Sequence, residues 1–174
     1  ASPPVASIAP GKRQLIRLIK QSAPAAGQER AYRILVDEVP VKEQSSGAAP
    51  GGAEMGLKFQ MRYSVPLFVS GKGIWTKQDS EKPRDYATAS QPQLSYRLQQ
   101  QSSERWLEVR NQGAVHARMS KVTLQGRSLN PGLMGYVLPG SQMRFALPPA
   151  GGFSSGKLMA TVNDNKQPVA IPSY

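Results

Sequence analysis

Leu57-Lys58-Phe59-Gln60-Met61-Arg62-Tyr63-Ser64-Val65-Pro66-Leu67 is the stretch on which the fold turns. Leu57, Phe59, Met61, Tyr63, Val65 and Leu67 alternate with Lys58, Gln60, Arg62, Ser64 and Pro66. Successive strand side chains point to opposite faces, so this pattern is a long half-buried strand, continuing to Val69. The run follows Ser45–Gly56 (SSGAAPGGAEMG), a stretch of loop composition.

Outward from this strand the chain keeps the same character. Gln14–Lys20 (QLIRLIK) is about seven residues long and lies between Pro10-Gly11 and the Ser22–Gly27 turn residues, which predicts a strand. Arg30–Val41 is β-branched and aromatic and ends beside Pro40, a residue of strand edges. Gly71–Pro92 is polar and holds the expected domain boundary. Beyond it come Gln93–Gln99, Arg105–Arg110, Ala114–Leu124, Leu133–Leu138, Gln142–Leu147, Lys157–Val162 and Val169–Ile171. Turn signals separate them, among them Asn111-Gln112-Gly113, Asn130-Pro131-Gly132 and Pro139-Gly140. Apolar parity slips from Val115, Ala117 and Met119 to Val122 and Leu124, which predicts a bulge near Ser120.

The expected architecture is all-β, with two immunoglobulin-like sandwiches. Residues 1–71 form the first domain, with the alternating strand at 57–69. Residues 72–92 link it to the second domain and begin that domain, and 93–174 complete it. A sandwich of seven strands takes roughly 100 residues, so the first domain is expected to lack its opening strands.

Composition narrows the function. The chain has 174 residues, 22 Lys and Arg against 11 Asp and Glu, and a net charge of +11. Such an excess attracts nucleic acid, anionic surfaces or carboxylate-bearing ligands. The basic residues are scattered, with runs no longer than pairs such as Lys12-Arg13. No apolar run approaches ~18 residues, so stable membrane insertion is not expected. Ala1-Ser2-Pro3-Pro4 has neither the basic nor the apolar region of a leader. Zero Cys excludes a disulfide framework and thiolate metal ligands.

Catalytic constellations are missing, and an enzyme is the poorest reading. The one His, His116, lies in a predicted strand, where a lone His is ordinarily a surface or satisfied core residue. Gly152-Phe153-Ser154-Ser155-Gly156 matches G-x-S-x-G, but no His follows and no helix is evident, so it reads as a loop. Asp37 and Glu38 are adjacent and would face opposite sides of a strand. No metal or cofactor site is expected. Two other classes remain beside a strand-donating module. One is a basic nucleic-acid-binding β protein, which lacks aromatics beside a basic cluster. The other is a structural subunit of the cell surface. A long strand with bulky alternating side chains can join another protein's sheet, its backbone giving affinity and its side chains filling pockets.

Four blocks of residues resemble the periplasmic pilus-assembly chaperones of the chaperone–usher pathway. Ser2-Pro3-Pro4-Val5, Ile8-Ala9-Pro10-Gly11 and Gln14-Leu15-Ile16-Arg17-Leu18 are similar to that family's early segment. Glu29-Arg30-Ala31-Tyr32-Arg33-Ile34 with Glu38-Val39-Pro40 resembles its next strand. Leu57–Phe68 resembles its donor strand. Leu107–Gly113 and Val137–Ser141 are similar to two turns of its second domain. The Tyr32-Arg33 and Pro66-Leu67-Phe68 forms are nearer the archaic branch.

The resemblance implies a non-enzymatic periplasmic chaperone that completes pilin subunits by donor-strand complementation and delivers them to an outer-membrane usher. It has no cofactor. Its donor residues would be Leu57, Phe59, Met61, Tyr63 and Val65; full burial of four or five of them is worth roughly 8–12 kcal/mol before ordering and association costs. Lys58 and Arg62 would guard the exposed edge against self-pairing. The family grips the subunit's terminal carboxylate with basic residues. Its better-known branch uses a Lys where this chain has Pro66, so the resemblance points instead to Arg33 and Lys72, with Arg62 in reserve. The family pattern also carries a signal peptide and opening strands ahead of these blocks, which implies that Ala1 falls inside it.

Overall fold

β-Branched and aromatic runs punctuated by Gly and Pro become strands throughout. The computed structural model describes residues 1–39, 60–74, 89–148 and 156–174. Among these residues there are nine strands and no helix. By contacts the chain divides into two compact units. One comprises Ala1–Glu29 with Val69–Tyr174, and the other is Arg30–Phe68.

Seven strands of the larger unit build a sandwich. β3 (Leu94–Gln101), β4 (Glu104–Asn111) and β7 (Gln142–Ala146) form one sheet in the order β3-β4-β7. β5 (Ala117–Leu124), β6 (Arg127–Val137), β8 (Leu158–Val162) and β9 (Val169–Ile171) form the other, in the order β6-β5-β8-β9. All the registers between these strands are antiparallel. The core between the sheets is made by alternate residues of facing strands, including Tyr96, Leu107, Val109, Met119, Val122, Leu124 and Leu158.

The bulge expected near Ser120 is present. From Ser120 to Thr123 β5 takes three steps while β8 takes two, Thr161 to Met159. Lys121 absorbs the extra residue with a φ of 49°. The buried set accordingly shifts from Ala117 and Met119 to Val122 and Leu124. Asn130-Pro131-Gly132, expected as a turn, lies instead inside β6. β6 is an edge strand that carries extra residues relative to β5, so Pro131 sits where its missing N–H breaks no ladder. Asn130 Oδ1 accepts from the Gly132 amide at 2.8 Å and closes the local kink. The hairpin turn lies earlier, at Gln125-Gly126, where both residues have positive φ, 52° and 76°.

Two buried polar residues brace the sandwich. Asn111 donates from Nδ2 to the carbonyls of Val115 (2.8 Å) and Val137 (3.1 Å). Its Oδ1 accepts from the amides of Gly113 (2.9 Å) and Gln93 (3.2 Å). Glu108 stands in the middle of the outer face of the three-stranded sheet, in register between Arg97 and Arg144. Its carboxylate accepts from Arg97 Nε at 2.7 Å, Arg144 Nε at 2.8 Å and the Tyr174 hydroxyl at 2.9 Å. The Arg144 bond, with those of Tyr174 and Arg97, holds the Glu108 pKa below its ordinary value against the opposing effect of burial.

The remaining two strands, β1 (Glu29–Asp37) and β2 (Arg62–Ser70), pair as a two-stranded sheet. Gln14–Lys20, expected as a strand, is not one. Its backbone has a single bridge, Arg17 to Ser2, with bonds of 2.9 and 2.8 Å. A strand needs a neighbour along its length, and among the described residues this segment has only that backbone bridge.

Candidate functional site

The β1–β2 ribbon carries the candidate site. Glu38 N–H donates to the Met61 carbonyl at 3.0 Å, and Gly71 N–H donates to the Gln28 carbonyl at 2.8 Å. These bonds, one near each end, run the strands antiparallel and place Asp37 opposite Arg62, Val36 opposite Tyr63 and Leu35 opposite Ser64. One face therefore carries Met61, Tyr63 and Val65 beside Val36, Ile34 and Tyr32. The other carries Arg62 and Ser64 beside Asp37, Leu35 and Arg33.

The second face is held by polar contacts. Arg62 Nε and Nη2 reach Asp37 Oδ1 and Oδ2 at 2.5 and 3.0 Å. This two-pronged bond lowers the Asp37 pKa and raises that of Arg62. Arg33 Nη1 donates to Ser64 Oγ at 3.0 Å. The first face stays open. Met61 is 54 % exposed, Tyr63 54 % and Val65 48 %, with the Tyr63 hydroxyl 3.4 Å from Met61 Sδ. Isolated exposed apolar residues are common on proteins, but several alternating along one strand form a contiguous patch. Leu67 to Ser70 are half-buried.

Leu57, Lys58 and Phe59 lie outside the described residues, as does the 45–56 stretch. Lys72 accepts at its carbonyl from Gly27 N–H, 2.7 Å away. Arg62 commits its guanidinium to Asp37. Ser154 of the G-x-S-x-G match also lies outside the described residues, while Gly156 exchanges hydrogen bonds with the Tyr96 hydroxyl. His116 comes one residue before β5. Its Nδ1 lies 2.8 Å from Glu29 Oε1, and its N–H donates to the same oxygen at 2.8 Å. That pair spans 87 positions and had no signature in the sequence. Among the described residues no group of three or more His, Cys, Asp or Glu could hold a metal, and no helix is long and apolar enough to cross a membrane.

Residues 1–74 match the family profile of the pili and flagellar-assembly chaperones, PapD N-terminal domain. No curated protein matches the chain in sequence. Among solved structures it is similar to a chain of the CsuC–CsuE chaperone–tip adhesion subunit pre-assembly complex, from the archaic chaperone–usher Csu pili of Acinetobacter baumannii. The identity is 31 % and the TM-score 0.72, over 99 % of this chain and 73 % of that one. The matched fold has two immunoglobulin-like domains, in agreement with the all-β architecture found here.

Proposed function

The chain belongs to the pilus-assembly chaperones, and from that premise we propose that it binds pilin subunits by lending them β2 and the residues just before it. The observation that carries the reading is the open apolar face of the ribbon. Met61, Tyr63 and Val65 keep about half their surface in water. A subunit whose sandwich lacks a strand offers a groove that can bury that half, while the strand's backbone groups complete the subunit's sheet. Full burial of such side chains is worth about 1.5–3 kcal/mol each, so the exposed halves of these three supply about 2–4 kcal/mol. Leu57 and Phe59 continue the same alternation and extend the donated segment. Ordering and association costs reduce the gross figure.

Arg33 and Lys72 are the proposed anchors for the subunit's terminal carboxylate, since Arg62 is engaged by Asp37. The setting is the periplasm, and the loaded chaperone hands its subunit to an outer-membrane usher. The similarity to a chain of a chaperone–tip subunit complex supports the pilin subunit as partner.

Co-expression of the chain with a cognate pilin tests it. Met61→Asp with Val65→Asp puts two charges on the open face and is expected to abolish recovery of the complex. Leu35→Asp, on the opposite face and 57 % exposed, is expected to leave recovery intact. Equal recovery with both variants would refute strand donation.

A further inference from the structure

We propose that Asp37, Glu38 and Arg62 set the register of the donated strand: they lock Met61 and Arg62 opposite Glu38 and Asp37 and so decide which side chains face the subunit. The proposal rests on the strand-donation reading and deepens it. Asp37, Glu38 and Arg62 are positioning residues: their side chains act on the pairing of the ribbon.

The need for such a device follows from the side-chain period of two. A slip of one residue between β1 and β2 would move Met61, Tyr63 and Val65 to the opposite face and bring Arg62 and Ser64 in their place. A slip of two would keep the face and send each side chain to the wrong pocket. In most hairpins a turn of two to five residues fixes the register. Here Val39 and Gln60 are separated by twenty positions, 40–59, rich in Gly, Ala and Ser. That separation is well beyond the two to five residues over which turn type fixes a register. Contacts at the strand ends can do so.

At this end of the ribbon the contacts converge. Glu38 N–H donates to the Met61 carbonyl at 3.0 Å. The Glu38 carboxylate accepts from the Met61 amide at 3.2 Å. Gln60 Nε2 donates to the Glu38 carbonyl at 2.9 Å. Arg62 spans both oxygens of Asp37. A two-pronged guanidinium–carboxylate bond fixes both oxygens at once, so it discriminates between registers more sharply than a single charge contact does. Asp37 and Arg62 also occupy a non-hydrogen-bonded pair, where facing side chains lie closest. A slip of one would place Asp37 opposite Met61 or Tyr63 and a slip of two opposite Gln60 or Ser64; either breaks the Glu38–Met61 backbone bond and the face-to-face Asp37–Arg62 pair.

The register can be read directly, because the full chain has no cysteine. Leu35→Cys with Ser64→Cys reports the native pairing by disulfide formation, and Leu35→Cys with Pro66→Cys reports a slip of two. With Asp37, Glu38 and Arg62 in place, the first pair is expected to cross-link and the second only in trace. Asp37→Asn with Glu38→Gln should raise the slipped cross-link about fivefold, the scale of a surface ion pair. It should also lower pilin recovery in parallel. Exchanging the pair, Asp37→Arg with Arg62→Asp, should restore the native cross-link if Glu38 is kept. An unchanged cross-link pattern in Asp37→Asn with Glu38→Gln overturns the proposal. So does a slipped pattern that leaves pilin recovery at the native level. If the native chain recovers no pilin at all, strand donation fails, while the cross-link ratio still decides the register.

Discussion

Replacing Glu108 by Gln tests how the sandwich tolerates a carboxylate with no exposed surface. Three donors converge on it, from Arg97, Arg144 and Tyr174. A hydrogen bond to a charged group contributes about 1.5–3 kcal/mol when both partners are dry. The arginine side chains are 44 % and 54 % exposed, so water recovers much of their share. About 0.5–1 kcal/mol for each arginine is the appropriate scale, as for surface pairs. The Gln amide nitrogen must also face a donor, which leaves a buried polar group unpaired at about 1 kcal/mol more. The expected loss is about 2–3 kcal/mol, or a fall of about 1–2 M in the urea midpoint. Trp106, two residues away on the same face, reports unfolding by fluorescence in a Trp75→Phe background. The pH dependence has a definite sign. The folded Glu108 pKa lies below the ordinary 4.5, held there first by Arg144. Its contribution is therefore complete above about pH 4.5 and is lost as pH falls through the lower folded value. The gap between native chain and variant should be constant from pH 7 to about 5 and close at lower pH. Equal midpoints at pH 7 would refute the reasoning, as would a gap that does not narrow in acid.

Three further outcomes follow from neighbouring features. Tyr174→Phe keeps the ring beside Arg97 but drops the bond to Glu108, and should cost about 0.5–1 kcal/mol in the same urea assay. Burial and Glu108 raise the Tyr174 pKa above 10.0, so the native chain should lose this contribution as pH rises through that higher value, and the Phe variant should not. Asn111→Ala orphans buried carbonyls and amides at once and should lower stability by about 3 kcal/mol or more, measured by calorimetry. A Cβ on Gly71 would stand 2.1 Å from the Ala25 carbonyl oxygen, so Gly71→Ala should displace the 25–28 turn and speed hydrogen exchange at the Gly27 amide, now bonded to Lys72.

The signals legible along the chain are local and periodic. Alternation of two made 62–70 a strand, and the parity slip after Met119 announced the bulge before any partner strand was known. Both signals depend only on neighbours along the chain. The Tyr32-Arg33 and Pro66-Leu67-Phe68 forms pointed to the family in the same way. Pairing was decided only in three dimensions. Gln14–Lys20 has the composition of a strand, yet a strand exists through its partner, and here one bridge to Ser2 is what it finds. Asn130-Pro131-Gly132 has turn chemistry, yet an edge position with room for extra residues accommodates it within β6. Arg62 read as a spare cation until the ribbon set it against Asp37, and Glu29 was invisible beside His116 because no periodicity links positions so far apart. Which residues are apolar is written in the chain; which charge meets which depends on the ladder, because a hydrogen bond is made across space and not along sequence.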